Sequence, residues 1–525
     1  MSDQTAPKIT YTTLSADNDA IHEGIEEALE RAKSLIGNTY PLIIGGEERT
    51  ADETFPVINP ANTEQVLFHF QNGTAQDTRD AIAAAREAFP EWSRTPWEER
   101  VAIVERANQM IQDNIFDIAA VMMLEIGKNR LEALAETAET VDLVGYYIKE
   151  MRRNNGYVRE MESQTGSDHN MSVMKPYGVW GVIAPFNFPI ALAAAPVGAA
   201  LLTGNTVVIK PTLDAPWAML QVVKYYYEAG LPEGCLSYIT GPDETAASEI
   251  VTNPDVDGIT FTGSYEVGYE LIYQRFPKDY PKPVVAEMGG KNPVLISPQA
   301  DLDKAAMGVM RGAFGFGGQK CSASSRVYVH RDVYEPFKEK LVSLTEEHAQ
   351  VGDPLKRETF LGPVGTPEGY AKYQRFMEMA RQDGTIVYGG EVLKEGDFEN
   401  GFFVQPAIIE MPHDHELVKK ELFLPIVAIM PVDSMDEAMA EANDSALGLC
   451  AGIFTEDESE IDWFLQNIQA GVVYANRSGG ATTGAWPGHQ TFGGWKGSGS
   501  TGKNIFGHYS LLAYMREQSR TVYRE

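Results

Sequence analysis

Three cysteines occur in 525 residues, too few for a disulfide framework, so any thiol chemistry has to be argued residue by residue. Cys321 stands in Gly-Phe-Gly-Gly-Gln-Lys-Cys-Ser-Ala-Ser-Ser-Arg at 315–326. The glycines allow a ligand to approach the backbone, and Lys320 with the local amides could stabilise a thiolate. Cys321 therefore reads as a nucleophile rather than a small core residue. Cys235 and Cys450 lie in apolar surroundings and read as core. Glu287 closes Val-Val-Ala-Glu at 284–287, ahead of Met288 and two glycines. Alone it would be an exposed loop acid; paired with a nucleophilic thiol, a carboxylate at a strand end is a general base for a hydrolytic step.

Two further strand ends carry polar groups. Asn187, in Ala-Pro-Phe-Asn-Phe-Pro at 184–189, could donate a hydrogen bond to an oxyanion, although a lone asparagine there is more often a turn residue. Lys210, in Val-Ile-Lys-Pro-Thr at 208–212, could meet ribose or phosphate oxygens, or simply be a solvated lysine. Two tempting patterns are rejected. Gly-Ser-Gly-Ser-Thr-Gly at 497–502 has the letters of a dinucleotide fingerprint, but it follows a glycine-rich loop and leaves too little chain for a βαβ unit. Pro-His-Asp-His-Glu at 412–416 lacks further Cys or His ligands nearby, so no metal site is expected.

Regular elements must bring these side chains together. From 179 onward, short β-branched runs at 179–184, 206–210, 236–240 and 258–261 alternate with helical stretches such as 218–229, which stops at Gly230. That alternation predicts a parallel sheet covered by helices on both faces. A second set places strands at 293–297, 326–330 and 451–454 and helices at 301–314 and 333–348, so the fold class is α/β with two lobes. The first third is mostly helical: a helix at 18–35, a short strand and turn from Tyr40, a capping box at Thr74 and Asp77, then helical spacing from 97 to 150. The polar stretch to 174 could project as a hairpin.

Composition narrows the partners. Against 74 Asp+Glu stand 43 Lys+Arg, a formal charge of −31, which repels nucleic acid and anionic lipid. The acidic surplus suits a high-salt cytoplasm and equally a plain solubility adaptation. The chain does not open on an apolar signal, and its longest near-apolar run, 190–202, is too short to span a bilayer. With so few cysteines, the expected location is cytoplasmic.

Taken in order, these segments resemble the aldehyde dehydrogenase superfamily. The matching words are Ala-Pro-Phe-Asn-Phe-Pro, Val-Ile-Lys-Pro, Phe-Thr-Gly-Ser-x-x-Val-Gly at 261–268, Glu-Met-Gly-Gly-Lys, Gly-Gln-Lys-Cys, Glu-x-Phe at 421–423 and Phe-Gly-Gly-Trp-Lys-Gly-Ser-Gly at 492–499. The resemblance implies two parallel-sheet α/β lobes, a Rossmann-like cofactor domain and a catalytic domain, plus a small β oligomerisation element. The expected division is an N-terminal helical extension at 1–36, a cofactor domain at 37–154 and 175–288, oligomerisation strands at 155–174 and 505–525, and a catalytic domain at 289–504. It implies that Cys321 attacks an aldehyde carbon, that Asn187 and the Cys321 amide hold the oxyanion, and that hydride passes to a nicotinamide. Water activated by Glu287 then hydrolyses the thioester. The implied cofactor contacts are Ala184, Pro185, Phe186, Lys210, Gly241, Gly263, Ser264, Val267, Glu421 and Phe423. Many NAD-selective members carry Glu three residues after the strand-end lysine. Here Leu213 stands there with Asp214 next, so NAD is expected with NADP also accepted.

Within the superfamily the words Tyr-Pro-Leu-Ile-Ile-Gly-Gly at 40–46, Gly-Gln-Lys-Cys-Ser-Ala-Ser-Ser-Arg at 318–326 and Asn-Arg at 476–477 followed by Thr-Gly-Ala at 483–485 are similar to the 1-pyrroline-5-carboxylate dehydrogenases. That likeness implies glutamate γ-semialdehyde as substrate. Its carboxylate would be gripped by Ser322, Gly484 and Ala485, and its methylenes would lie between Phe188 and Phe492. A dehydrogenase for another aldehyde, such as succinate or ketoglutarate semialdehyde, and a non-catalytic relative are the alternatives. Three features depart from that group: Thr491 ahead of Phe-Gly-Gly, Leu424 in Glu-Leu-Phe-Leu-Pro, and Trp-Pro-Gly-His-Gln at 486–490. A homo-oligomer built from dimers is expected, with the C-terminal strand of one subunit joining its neighbour's sheet.

Overall fold

The computed structural model describes residues 18–276, 280–479 and 488–524. Residues 480–487, which include Gly484 and Ala485, lie outside the described residues.

Two seven-stranded sheets organise the chain. In the first, the strands run in the order Val284–Glu287, Gly258–Thr262, Val179–Ile183, Thr206–Lys210, Leu236–Tyr238, Leu42–Ile44, Glu47–Arg49. The first five are parallel, and the last two form an antiparallel hairpin on the edge. Because their residues are buried on both faces, these strands read as continuous apolar runs rather than alternating ones. Helices Trp97–Asp113, Arg130–Arg153 and Ala191–Thr203 pack on one face, and Ala75–Trp92 on the other. The last of these opens with the expected capping box: Thr74 Oγ1 accepts from the Asp77 amide, and Asp77 returns a carboxylate to the Thr74 amide.

From Val179–Ile183 the chain walks outward through Thr206–Lys210 and Leu236–Tyr238. It then crosses to the other side at Gly258–Thr262. The order of the sheet reverses between Val179–Ile183 and Gly258–Thr262, and a crevice opens there at the C-terminal strand ends.

The second sheet runs Thr385–Gly389, Ala407–Glu410, Ile426–Val432, Ser324–His330, Asn292–Ile296, Cys450–Phe454, Val472–Ala475, parallel except for its first strand. Helices Leu302–Phe314 and Tyr334–His348 cover one face, Pro367–Asp383 and Met435–Asn443 the other. Only Met288 to Lys291 separate the end of Val284–Glu287 from the start of Asn292–Ile296. The C-terminal edge of the first sheet therefore faces the N-terminal edge of the second. A three-stranded antiparallel sheet, Met515–Tyr523, Asp168–Pro176 and Val158–Met161, stands apart from both; the C-terminal strand pairs with the hairpin of its own chain.

Candidate active site

A cleft of about 780 Å³ lies where the two sheet edges meet. It brings together Pro185, Phe186, Asn187, Gly263, Ser264, Glu287, Cys321, Glu421, Phe423 and Phe492, all anticipated from sequence. Each arrives from a strand end or from the loop before a strand.

Cys321 is partly exposed, while Cys235 and Cys450 are buried. Desolvation pushes the Cys321 thiol up, the Glu421 and Glu287 carboxylates add to that shift, and the Ser322 amide opposes it. Lys320 does not supply the expected cation: its ammonium lies 2.8 Å from the Glu132 carboxylate, which claims it. The thiol is held in place by Asn292, a residue that sequence reasoning missed. Its Nδ2 donates to the carbonyls of Cys321 (2.7 Å) and Ala323 (2.8 Å), and its Oδ1 accepts from the Cys450 amide at 2.9 Å. Gly290 permits this close approach, since a Cβ there would stand 2.5 Å from the Cys321 carbonyl oxygen. The available signal was position, Asn292 directly following the Glu-Met-Gly-Gly-Lys word.

Glu287 is buried, and burial raises its carboxyl well above the usual range, opposed by the Gly494 amide. Its Oε2 is buried without a hydrogen-bond partner, within a cleft that also holds the thiol. Asn187 is buried and donates to the Gln319 carbonyl at 2.9 Å, which ties it to the turn before Cys321; the same nitrogen carries a second N–H.

A buried ion pair between Lys128 and Glu136 braces this arrangement. The Lys128 ammonium sits 3.9 Å from the centroid of Phe188 and 4.6 Å from that of Phe316. Glu136 accepts from the amides of Ile190 (2.9 Å) and Ala191 (3.1 Å). The segment after Asn187 is thereby clamped to the segment before Cys321. Phe188 is not among the residues lining the cleft; its ring meets Lys128, whereas Phe492 lines the wall and neighbours Phe506 at 6.2 Å. Ser322 is buried beside the thiol.

On the side of the cleft facing the first sheet, Glu421 accepts from the Gly290 amide at 2.9 Å, and burial pushes its carboxyl up to about 7. Phe423 adopts a φ of +60°, a strained backbone that non-glycine residues keep mainly at functional positions, and its ring meets Phe186 edge-on at 5.8 Å. Ser264 Oγ accepts from the amide of the exposed Val267 at 3.3 Å. Ala184 donates to the Lys210 carbonyl, and Lys210 itself is buried with Nζ 2.7 Å from Asp243. Gly241 lies against Gly73, whose carbonyl oxygen would be 2.4 Å from a Cβ.

The 497–502 segment has a structural task. Ser498 Oγ donates to the Gly289 carbonyl and accepts from the Gly448 amide, while Ser500 Oγ bonds both the Val284 carbonyl and the Ala286 amide. It props the strand that ends in Glu287. Among the described residues no group of His, Cys, Asp and Glu could hold a metal ion, and none of the helices is long and apolar enough to cross a membrane.

The aldehyde dehydrogenase family model matches residues 47–520. The chain belongs to the aldehyde dehydrogenase family. It is 37% identical over 510 residues to a 1-pyrroline-5-carboxylate dehydrogenase of Geobacillus sp. strain WCH70, with 96% of each protein covered. Among solved structures, the 1-pyrroline-5-carboxylate dehydrogenase from Thermus with bound NAD superposes with a TM-score of 0.92 at 31% identity, covering 99% of this chain and 98% of that one. A betaine aldehyde dehydrogenase from Staphylococcus aureus in complex with NAD+ gives 0.88 at 27% identity, covering 95% and 97%. Membership makes the chain an oxidoreductase and gives the thiol, carboxylate and amide of the cleft a common chemical setting.

Proposed function

We propose that this aldehyde dehydrogenase oxidises L-glutamate γ-semialdehyde, the open form of 1-pyrroline-5-carboxylate, to L-glutamate with NAD. The observation that carries the reading is the convergence in one cleft of a partly exposed thiol, a buried carboxyl with an unpaired oxygen, and a buried carboxamide. The cleft also fits the nicotinamide end of a dinucleotide: it offers the Glu421 carboxylate to ribose hydroxyls and the Phe186 and Phe423 rings to a flat heterocycle, beside the switch point of a parallel sheet.

Cys321 sulfur adds to the aldehyde carbon and gives up its proton. Asn187 Nδ2 and the Cys321 amide stabilise the oxygen anion that forms. When bound, NAD supplies the two-electron acceptor for the hydride leaving that carbon. Glu287 accepts a proton from the water that attacks the resulting thioester, which breaks the carbon–sulfur bond, releases the carboxylate and returns the thiol. Overall, aldehyde, NAD and water give acid, NADH and protons.

Ser322, with Gly484 and Ala485, is assigned to the substrate carboxylate, and Phe492 to its methylenes. Glutamate γ-semialdehyde should then exceed pentanal, an uncharged aldehyde of equal length, by at least roughly a hundredfold in kcat/KM, about 2.7 kcal/mol of charge-assisted hydrogen bonding. Purified protein with NAD and each aldehyde, followed at the nicotinamide absorbance, tests this; equal efficiency moves the function to a broad-specificity aldehyde dehydrogenase. The cofactor lobe is assigned to 37–154 and 175–288 and the catalytic lobe to 289–504. The strands at 155–174 and 505–525 are assigned to assembly of a homodimer.

A further inference from the structure

Leu213 leaves no carboxylate at the position from which a 2′-phosphate would be repelled, and from sequence alone that absence predicts NADP tolerance. The fold brings a carboxylate in from elsewhere. Asp243 starts the turn after Leu236–Tyr238, the strand adjacent to Thr206–Lys210, and its Oδ1 stands 2.7 Å from Lys210 Nζ. Lys210 is the ammonium at the C-terminal end of its strand; its side chain is 4% exposed, whereas that of Asp243 is 78% exposed and faces solvent. Besides Asp243, Lys210 Nζ meets the Pro211 carbonyl at 3.4 Å. Asp214, half-buried, accepts from Thr212 and adds a second acid within electrostatic reach of Lys210.

We infer that Asp243 is a cofactor-specificity residue: its carboxylate neutralises Lys210, accepts from adenosine-ribose hydroxyls and repels a 2′-phosphate, so that the chain selects NAD over NADP. The inference rests on the proposed use of NAD and on the expectation, implied by the family resemblance, that Lys210 meets the dinucleotide. The physical reason is charge. A ribose diol is neutral and donates two hydrogen bonds, which suits a carboxylate beside an ammonium. A 2′-phosphate brings about two negative charges to a place where one cation is already matched by an acid.

Calorimetric titration of the whole protein with NAD, NADP, ADP-ribose and 2′-phospho-ADP-ribose tests it without turnover. The unmodified protein should bind NADP at least roughly thirtyfold more weakly than NAD, as like-charge juxtaposition demands. Asp243→Asn, isosteric and exposed, should narrow that ratio by about tenfold, mainly by tightening the 2′-phosphorylated ligands onto the freed Lys210, and raised salt should narrow it in the unmodified protein too. Lys210→Met separates the two levels of the argument. If it leaves NAD affinity intact, the strand end does not hold the dinucleotide and both readings fall. If it weakens NAD while Asp243→Asn leaves the NAD-to-NADP ratio within about twofold, the cofactor reading stands and the specificity role of Asp243 is overturned.

Discussion

Burial pushes both Cys321 and Glu287 toward their protonated forms, and for the thiol the charges of Glu421 and Glu287 act in the same direction. A base works only when deprotonated, and a carboxyl raised well above the usual range gains its charge as pH rises. The hydrolytic step should therefore quicken with rising pH through a transition far above that of a free glutamate. Glu287→Gln should lower steady-state turnover by roughly 10²- to 10³-fold. It should also flatten that pH limb and still permit a first-turnover burst of NADH; a variant with the pH profile of the parent would exclude Glu287 as the base. Cys321→Ala should abolish oxidation while nucleotide binding persists, and Cys235→Ala and Cys450→Ala should stay active, because those two thiols are buried in the core. That Cys321, Glu287 and Asn187 share a cleft was legible in sequence because each sits in a short glycine- or proline-marked word at a strand end or just before a strand. Asn292, Lys128 and Glu136 were not legible, since what they do depends on contacts between segments far apart in the chain. The cation assigned to Lys320 failed for the same reason: Glu132, on helix Arg130–Arg153, takes it.

Strand ends and the loops between them determine where those residues meet. The alternation of β-branched runs with helical periods revealed both parallel sheets, because buried parallel strands carry apolar residues on both faces. How the sheets face one another was not legible; it follows from the four-residue link from Met288 to Lys291 and from the Ser498 and Ser500 bonds along Val284–Glu287. The letters at 497–502 brace that strand, and nothing local announces this role. Ser498→Ala would leave the Gly289 carbonyl and the Gly448 amide short of a partner in a buried place, which costs about 1–3 kcal/mol. A denaturant midpoint lowered accordingly, with kcat falling more than NAD affinity, is the expected result. An unchanged midpoint would show that the bond does not support the strand. At the start of helix Ala75–Trp92, by contrast, Thr74→Ala should cost about 1 kcal/mol of stability with no change in kcat, because that cap holds the far face of the sheet.

At the scale of the whole molecule, the three-stranded sheet formed by Val158–Met161, Asp168–Pro176 and Met515–Tyr523 touches the main core through Met174 and Met515. After Met515 every residue of the C-terminal strand is exposed, and Met161, Val522 and Tyr523 present apolar surface at 57%, 50% and 70% exposure. The strand gives one edge to Asp168–Pro176, and among the described residues its other edge pairs with no strand. Open edges and apolar side chains on a projecting sheet invite a second copy, while each copy carries a formal charge of −31. These two terms respond to salt in opposite ways. Apolar burial and strand pairing survive salt, whereas the mutual repulsion of two polyanions is screened over about 8–10 Å near physiological ionic strength. The monomer–dimer equilibrium should therefore shift toward the dimer as potassium chloride is raised from low concentration to about 1 M, when the screening length falls to about 3 Å. An interface built from ion pairs would loosen over the same range. Sedimentation equilibrium across that salt series distinguishes the two, and deletion of the residues after Glu517 should yield monomers or aggregates at every salt concentration. A truncated chain that remains an intact dimer would place the interface elsewhere on the molecule.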